Sequence, residues 1–176
     1  VGFDACLMAN YEMAVHLEPY ADYMIASEET EPGDGWNYKS WLPLLVKNSD
    51  ADIATVGAKI VDSFVQSVDS SYGDFGTLSV ADLSKLDALR AAVETMGESL
   101  KGEIDGGNFS SISRLRQNVR SFGETSDAAS DMIDLGVFAS LYERYSSTGA
   151  AALRAALDDV VVYSKHTSNL TDITGL

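Results

Sequence analysis

Two short apolar runs, Tyr23-Met24-Ile25-Ala26-Ser27 and Gly76-Thr77-Leu78-Ser79-Val80, are too brief for helices and stand between polar stretches. That is the pattern of strands buried on both faces. Helix-length stripes follow each of them. Ile53, Val56, Ile60, Val61, Phe64 and Val68 recur at helical spacing behind Asp52, which can cap a helix start. Leu83, Leu86, Leu89, Val93, Met96 and Leu100 recur in the same way behind Asp82. Short strands alternating with long amphipathic helices predict an α/β fold whose sheet is mostly parallel.

The rest of the chain fits the same alternation. Val1-Gly2-Phe3-Asp4-Ala5 reads as a strand, and the sequence from Leu7 to Ala14 reads as a helix that Pro19 closes. Asp105-Gly106-Gly107-Asn108 is a predicted loop, followed by Ile112, Leu115 and Val119 at helical spacing. Asp134 is placed to cap a helix bearing Leu135, Phe138, Leu141, Tyr142 and Tyr145. Ser147 or Thr148 opens a last helix through Leu153, Leu157, Val160 and Val161, and the tail Leu170–Leu176 is expected to run into a strand. With 176 residues and 45% hydrophobic content, residues 1–176 suffice for one domain with a substantial core. Val1 lying inside a predicted strand is the sign of a fragment that lacks upstream strands.

A net charge of −15 repels phosphate backbones and anionic membranes, so neither nucleic acid nor membrane is an expected partner. Cationic peptides and divalent metals are attracted instead. The single cysteine excludes an intrachain disulfide, and no apolar run approaches transmembrane length.

That cysteine, Cys6, falls where the first strand gives way to the predicted helix. Backbone N–H groups at a helix start stabilise a thiolate and can hold the oxyanion formed when it attacks a carbonyl. Asp4, two residues earlier, shares the strand face of the thiol. Asp34 sits between glycines in the acidic loop Glu28-Glu29-Thr30-Glu31-Pro32-Gly33-Asp34-Gly35-Trp36, which emerges at the same sheet edge. Two carboxylates beside a nucleophile suit a guanidinium or ammonium group. Glu28, Glu29, Glu31 and Asp34 also offer oxygen ligands for calcium, but their spacing departs from an EF-hand and a solvated loop is expected. His16 lies ten residues beyond Cys6, about 15 Å along a helix, and should point away from the thiol. His166, in a polar turn, is expected to be exposed.

Phe3-Asp4-Ala5-Cys6-Leu7-Met8-Ala9 together with Ala26–Trp36 resembles the clostripain family of cysteine peptidases, relatives of caspases, legumains and gingipains. The resemblance implies a caspase-like three-layer α/β/α sandwich, of which residues 1–176 form the C-terminal portion. It implies cleavage after arginine or lysine, with Cys6 as nucleophile and Asp4 and Asp34 in the pocket for the basic side chain. It further implies an oxyanion donor in the Cys6 N–H, a bacterial secreted or envelope location, and calcium dependence in some members. The family's catalytic histidine follows a strand upstream of the cysteine, so the resemblance assigns the base to an upstream segment or light chain. The alternative is a non-catalytic peptidase-like domain for binding or assembly.

Overall fold

The structure, a computed structural model, describes residues 1–48, 50–71, 75–123, 131–146 and 148–176. Its strands are β1 (Tyr23–Ala26), β2 (Thr77–Asp82) and β3 (Val161–His166). Its α-helices are α1 (Tyr11–Leu17), α2 (Tyr38–Lys47), α3 (Ile53–Ser71), α4 (Leu86–Glu103), α5 (Phe109–Gln117), α6 (Leu135–Tyr145) and α7 (Ala150–Val160).

The sheet has the order β1-β2-β3 with both pairings antiparallel, Ile25 opposite Val80 and Ser79 opposite Ser164. The mostly parallel sheet expected above is therefore corrected. Among the described residues, parallel pairing is confined to the N-terminal segment beside β1. There Phe3 N–H donates to Ile25 O and Ile25 N–H to Val1 O, both at 2.9 Å. The reason lies in the crossings. One helix between two strands returns the chain to its starting end and yields a parallel neighbour. Here α2 and α3, packed together, both stand between β1 and β2, so the chain re-enters from the opposite end.

Strand side chains alternate between two cores. Ile25, Leu78 and Val80 meet Val56, Ile60, Val61 and Phe64 of α3, together with Trp36 and Trp41. Met24, Ala26 and Ala81 face the other way, towards Leu86, Leu89 and Met96 of α4, Tyr142 of α6, and Leu153 and Leu157 of α7. Helices thus cover both faces of the sheet. Burying a side chain such as Phe64 contributes about 2–3 kcal/mol.

Asp52 and Asp134 cap their helices as expected, whereas Asp82 caps a 3-10 turn, Leu83–Lys85, that precedes α4. Asp52 accepts from Thr55 N (3.0 Å), Asp82 from Ser84 N (3.0 Å) and Asp134 from Val137 N (2.8 Å). The part-buried Asp134 cap is worth about 1 kcal/mol. Several boundaries move. The first helix starts at Tyr11 behind its cap Asn10, not directly after Cys6. The stretch Ile104–Asn108 is a π-turn broken by Gly107 rather than an open loop. Gly149 precedes α7, and Ser147, one expected start of that helix, lies outside the described residues. The C-terminal tail forms no strand. It lies across the sheet end, with Gly175 O accepting from Ser79 Oγ (2.5 Å) and with Leu170 and Leu176 buried.

Candidate active site

The N-terminal segment leaves β1 after Phe3 and crosses over the loop that follows β1. Two backbone bonds lace the crossing, Leu7 N–H to Glu29 O (3.2 Å) and Ala9 N–H to Ser27 O (2.9 Å). Between them Leu7 is held at φ 62°. A left-handed conformation is costly for a branched residue, on the order of 1–3 kcal/mol, and such strain tends to sit at functional sites. Cys6 stands immediately before it and is exposed. The thiol is therefore carried by a strained, laced turn, which corrects the expectation of a helix start.

One loop residue holds the sulfur. Glu31 N–H donates to Cys6 Sγ at 3.3 Å, and Glu31 O lies 3.9 Å from Sγ. The Glu31 side chain turns the other way, with Oε2 accepting from the Trp36 indole N–H at 3.0 Å. Trp36 is buried flat against the N-terminal segment. A Cβ on Gly2 would come within 2.9 Å of its ring, so Gly2 is what lets the indole settle there.

Asp4 is gripped by the same loop. Its Oδ2 accepts from Trp36 N–H (3.2 Å) and from the Tyr38 hydroxyl (2.7 Å). That hydrogen bond, with lesser help from burial, pushes the Tyr38 phenol above its ordinary value, because the bond needs the protonated donor. Gly35 adopts φ +67°, and a Cβ there would lie 2.6 Å from Asp4 Oδ2. Only glycine supplies both the turn and the room. Asp34, adjacent in the chain, is exposed at the tip of the turn that Gly35 N–H closes on Pro32 O (3.0 Å).

Glu31 and Asp4 are neighbouring carboxyls. Burial, then the charge of Asp4 and a hydrogen bond with it, push Glu31 up to about 8, against a smaller opposing effect of Trp36. Glu31 Oε1 is buried and accepts no hydrogen bond among the described residues. A protonated Oε1 that donates to Asp4 reconciles these observations. Among the described residues, no lysine, arginine or histidine forms an ion pair with either carboxyl.

The remaining acids of the loop are not solvated, contrary to expectation. Glu28 and Glu29 are 3% and 4% exposed. Thr77 Oγ1 accepts from the N–H groups of Glu28 (2.9 Å) and Glu29 (3.1 Å), turning both residues inward. Glu29 pairs with Arg120 (2.9 Å) and accepts from Gly123 N–H (2.9 Å). Glu28 is raised well above the carboxylate range, first by burial and then by Asp134. The four acids therefore diverge. Among the described residues no group of three or more histidine, cysteine, aspartate or glutamate side chains could hold a metal ion.

Neither histidine bonds the thiol. His16 is exposed in the last turn of α1, its Nδ1 3.2 Å from Glu12 O. His166 ends β3, half-buried rather than exposed, with Nδ1 3.0 Å from Thr167 O. The N-terminal segment, β1, β2 and β3 lie in that order, so β3 is about three strand spacings, ~14 Å, from the Cys6 segment. The structure brings Asp4 and Cys6 onto one crossing with Asp34 in the loop against it. Glu31, Trp36 and Tyr38 belong to the site as well. In the sequence Glu31 and Trp36 stand inside the acidic-loop motif and Tyr38 lies just beyond it. The indole between two glycine-bearing segments was the signal available.

Solved structures share this fold. A clostripain from Bacteroides thetaiotaomicron in complex with the peptide inhibitor BTN-VLTK-AOMK is 18% identical, with 100% of this chain and 75% of that chain covered and a TM-score of 0.64. A secreted C11 cysteine protease of the same organism, iotapain, is 19% identical over 98% of this chain and 47% of its own, with a TM-score of 0.70. An inactive zymogen C11 protease from Parabacteroides distasonis is 19% identical over 99% of this chain and 50% of its own, with a TM-score of 0.67. The chain thus spans about half the length of these last two. Among curated protein sequences nothing matches it. The model of the clostripain family, peptidase C11, matches residues 1–175, and the chain belongs to that family.

Proposed function

We propose that this chain carries the nucleophile and the basic-residue pocket of a cysteine endopeptidase that cleaves after arginine or lysine. One observation carries the proposal. A thiol and a carboxylate two residues apart are fixed by the same loop, and among the described residues that carboxylate is bonded by neutral donors alone. That leaves Asp4 to pair with an incoming cation, and Asp34 adds a second carboxylate at the rim. The peptide part of the inhibitor bound to the Bacteroides clostripain ends in lysine, which agrees with a pocket of this charge.

The Cys6 thiolate attacks the carbonyl carbon of the scissile bond, and the carbonyl electrons move onto oxygen. The Cys6 N–H is the donor offered to that oxyanion. As the tetrahedral species collapses, the C–N bond breaks and the leaving amine takes a proton from an imidazolium. Water then attacks the thioester and releases the acid and the thiol. The imidazole belongs to a histidine of an upstream segment or light chain, since His16 and His166 are both engaged away from Cys6. A bacterial extracellular or envelope location goes with this reading, as iotapain is a secreted protease. Among the described residues no helix is long and apolar enough to cross a membrane.

The competing reading, a non-catalytic binding domain, draws on the same distance between the histidines and the thiol. One experiment separates them. In the complete protein, a peptidyl chloromethyl ketone ending in lysine should alkylate Cys6, and Cys6→Ala should abolish both labelling and hydrolysis. Hydrolysis that survives Cys6→Ala defeats the assignment.

A further inference from the structure

We propose that Glu31 is a specificity-determining residue of this pocket. Its carboxyl is neutral and hydrogen-bonded to Asp4 while the pocket is empty, and it gives up its proton to solvent when a guanidinium or ammonium group enters. The inference rests on the basic-residue pocket proposed above and adds a proton-coupled step to it.

Geometry carries the argument. Among the described residues, no donor is directed at the buried Oε1 of Glu31, and Oε2 has the Trp36 indole N–H alone. A carboxylate so poorly solvated beside a second carboxylate is unfavourable, and the neutral acid relieves both costs. Asp4 receives Trp36 N–H and the Tyr38 hydroxyl, and a carboxylate has lone pairs left for a proton from Glu31. The groups that face Glu31 are Asp4 and the Cys6 thiol from the N-terminal crossing and the Tyr38 phenol from the start of α2, with Asp34 further along its own loop. None of these is a cation. The value of about 8 for Glu31 agrees with a site that is protonated at neutral pH.

A cation placed between the two carboxyls reverses the balance. It replaces the shared proton as the partner of Asp4 and stabilises the ionised Glu31. Binding of a basic side chain then expels close to one proton near pH 7, and its affinity rises with pH until Glu31 is already ionised. A neutral side chain cannot displace the proton, so the coupling itself discriminates between substrates.

The test is calorimetric titration of the complete protein carrying Cys6→Ala, which removes the thiol as a rival proton source, with acetyl-arginine amide. Measuring at pH 7 in buffers of different ionisation enthalpy counts the protons released per ligand. The expected count is near one, falling towards zero above about pH 9, with Kd tightening by up to about tenfold per pH unit below 8. Glu31→Gln keeps an N–H for Asp4 and an oxygen for the Trp36 indole, and should bind the same ligand with no proton release and a flat pH profile. Binding to the parent without proton release overturns the role of Glu31 and leaves the pocket standing. Unchanged release in Glu31→Gln does the same. No binding of acetyl-arginine amide at any pH overturns both the pocket and this inference.

Discussion

Two carboxyl pairs lie three residues apart on the loop after β1, and they have opposite fates. Glu28 with Asp134 and Glu31 with Asp4 each join an acid of this loop to an acid from another element. In both pairs the glutamate is raised, by burial first and by its neighbour second. The difference is what closes around them. Asp134 caps α6 and also accepts from Thr174 N–H (2.5 Å) and Thr174 Oγ1 (2.6 Å), so it ties helix and C-terminal tail together, while both Glu28 carboxyl oxygens lie buried without a hydrogen-bond partner among the described residues. Glu28 is only 3% exposed, at the wall of a cavity lined by Ala9, Asn10, Phe122 and Leu176. Asp4 is held from one side only, by Trp36 and Tyr38, beside an exposed thiol. The same chemistry is enclosed where helix and tail close over it and accessible where one side stays open.

The largest effect that separates the pairs is expected at Asp4. Asp4 is exposed in the empty site, and a docked basic side chain would enclose the contact, where losing one partner of a buried charge pair costs about 2–5 kcal/mol. Asp4→Asn should lower kcat/KM for peptides with arginine or lysine before the scissile bond by well over tenfold, with the thermal midpoint nearly unchanged. Asp34→Asn, at an exposed turn tip, should cost less. If both variants keep the parent preference for basic residues, the open pair is not the pocket.

Asp134→Ala probes the sealed pair in the opposite currency, stability. It removes the α6 cap and both bonds to Thr174, and leaves Glu28 buried without its partner. The summed loss is about 2–4 kcal/mol, read from the urea midpoint. Alkylation of Cys6 per folded molecule should match the parent. A variant as stable as the parent would show that the tail and α6 are held by apolar packing alone.

Much of this contrast could be read from the sequence, but not its decisive part. The caps Asp52, Asp82 and Asp134 and the stripes of α3 and α4 were legible because capping and periodicity are local. β3 was not legible, since Val160-Val161-Val162 continues the apolar stripe of α7 and the chain passes from helix to strand without a loop. Pairing with β2 decides that switch. α2 was hidden by Pro43 in its interior, which removes a helix hydrogen bond. Asp4, Cys6 and Asp34 were legible as a motif. The roles of Glu31, Trp36 and Tyr38 depend on bonds to residues far away in the chain, and no local spacing encodes them. The inward turn of Glu28 and Glu29 likewise depends on Thr77, at the start of another strand.

Gly35→Ala should touch the open pair alone, and more gently. An alanine at φ +67° costs about 1–2 kcal/mol, and its Cβ would press on Asp4 Oδ2. The expected outcome is a modest fall in the thermal midpoint and a severalfold rise in KM for basic substrates, with kcat little changed. A KM equal to the parent's would mean that Asp4 is free to shift without consequence, and that its grip by the loop is not what shapes the pocket.

The smallest effect is the pH dependence of stability. Glu31 has a folded-state value of about 8 against an ordinary 4.5, so between these values the native state binds more protons than the unfolded chain. Its contribution to stability is therefore whole below about 4.5 and declines as pH rises towards 8. Glu28 contributes with the same sign, its decline also starting near 4.5 and extending upward. Asp52 and Asp62 are lowered by their hydrogen bonds, so their stabilisation is lost only as pH falls below about 3.8, outside that window. Because Glu31 is only partly buried, solvent screening keeps its share of the slope shallow. Urea unfolding from pH 5 to 9 should show stability falling with pH. Glu31→Gln should flatten the part below 8, and Glu28→Gln should flatten the slope across the whole range. If Glu31→Gln leaves the profile unchanged while Glu28→Gln flattens it, Glu31 is already ionised in the empty site, and the two pairs differ in protonation as well as in enclosure.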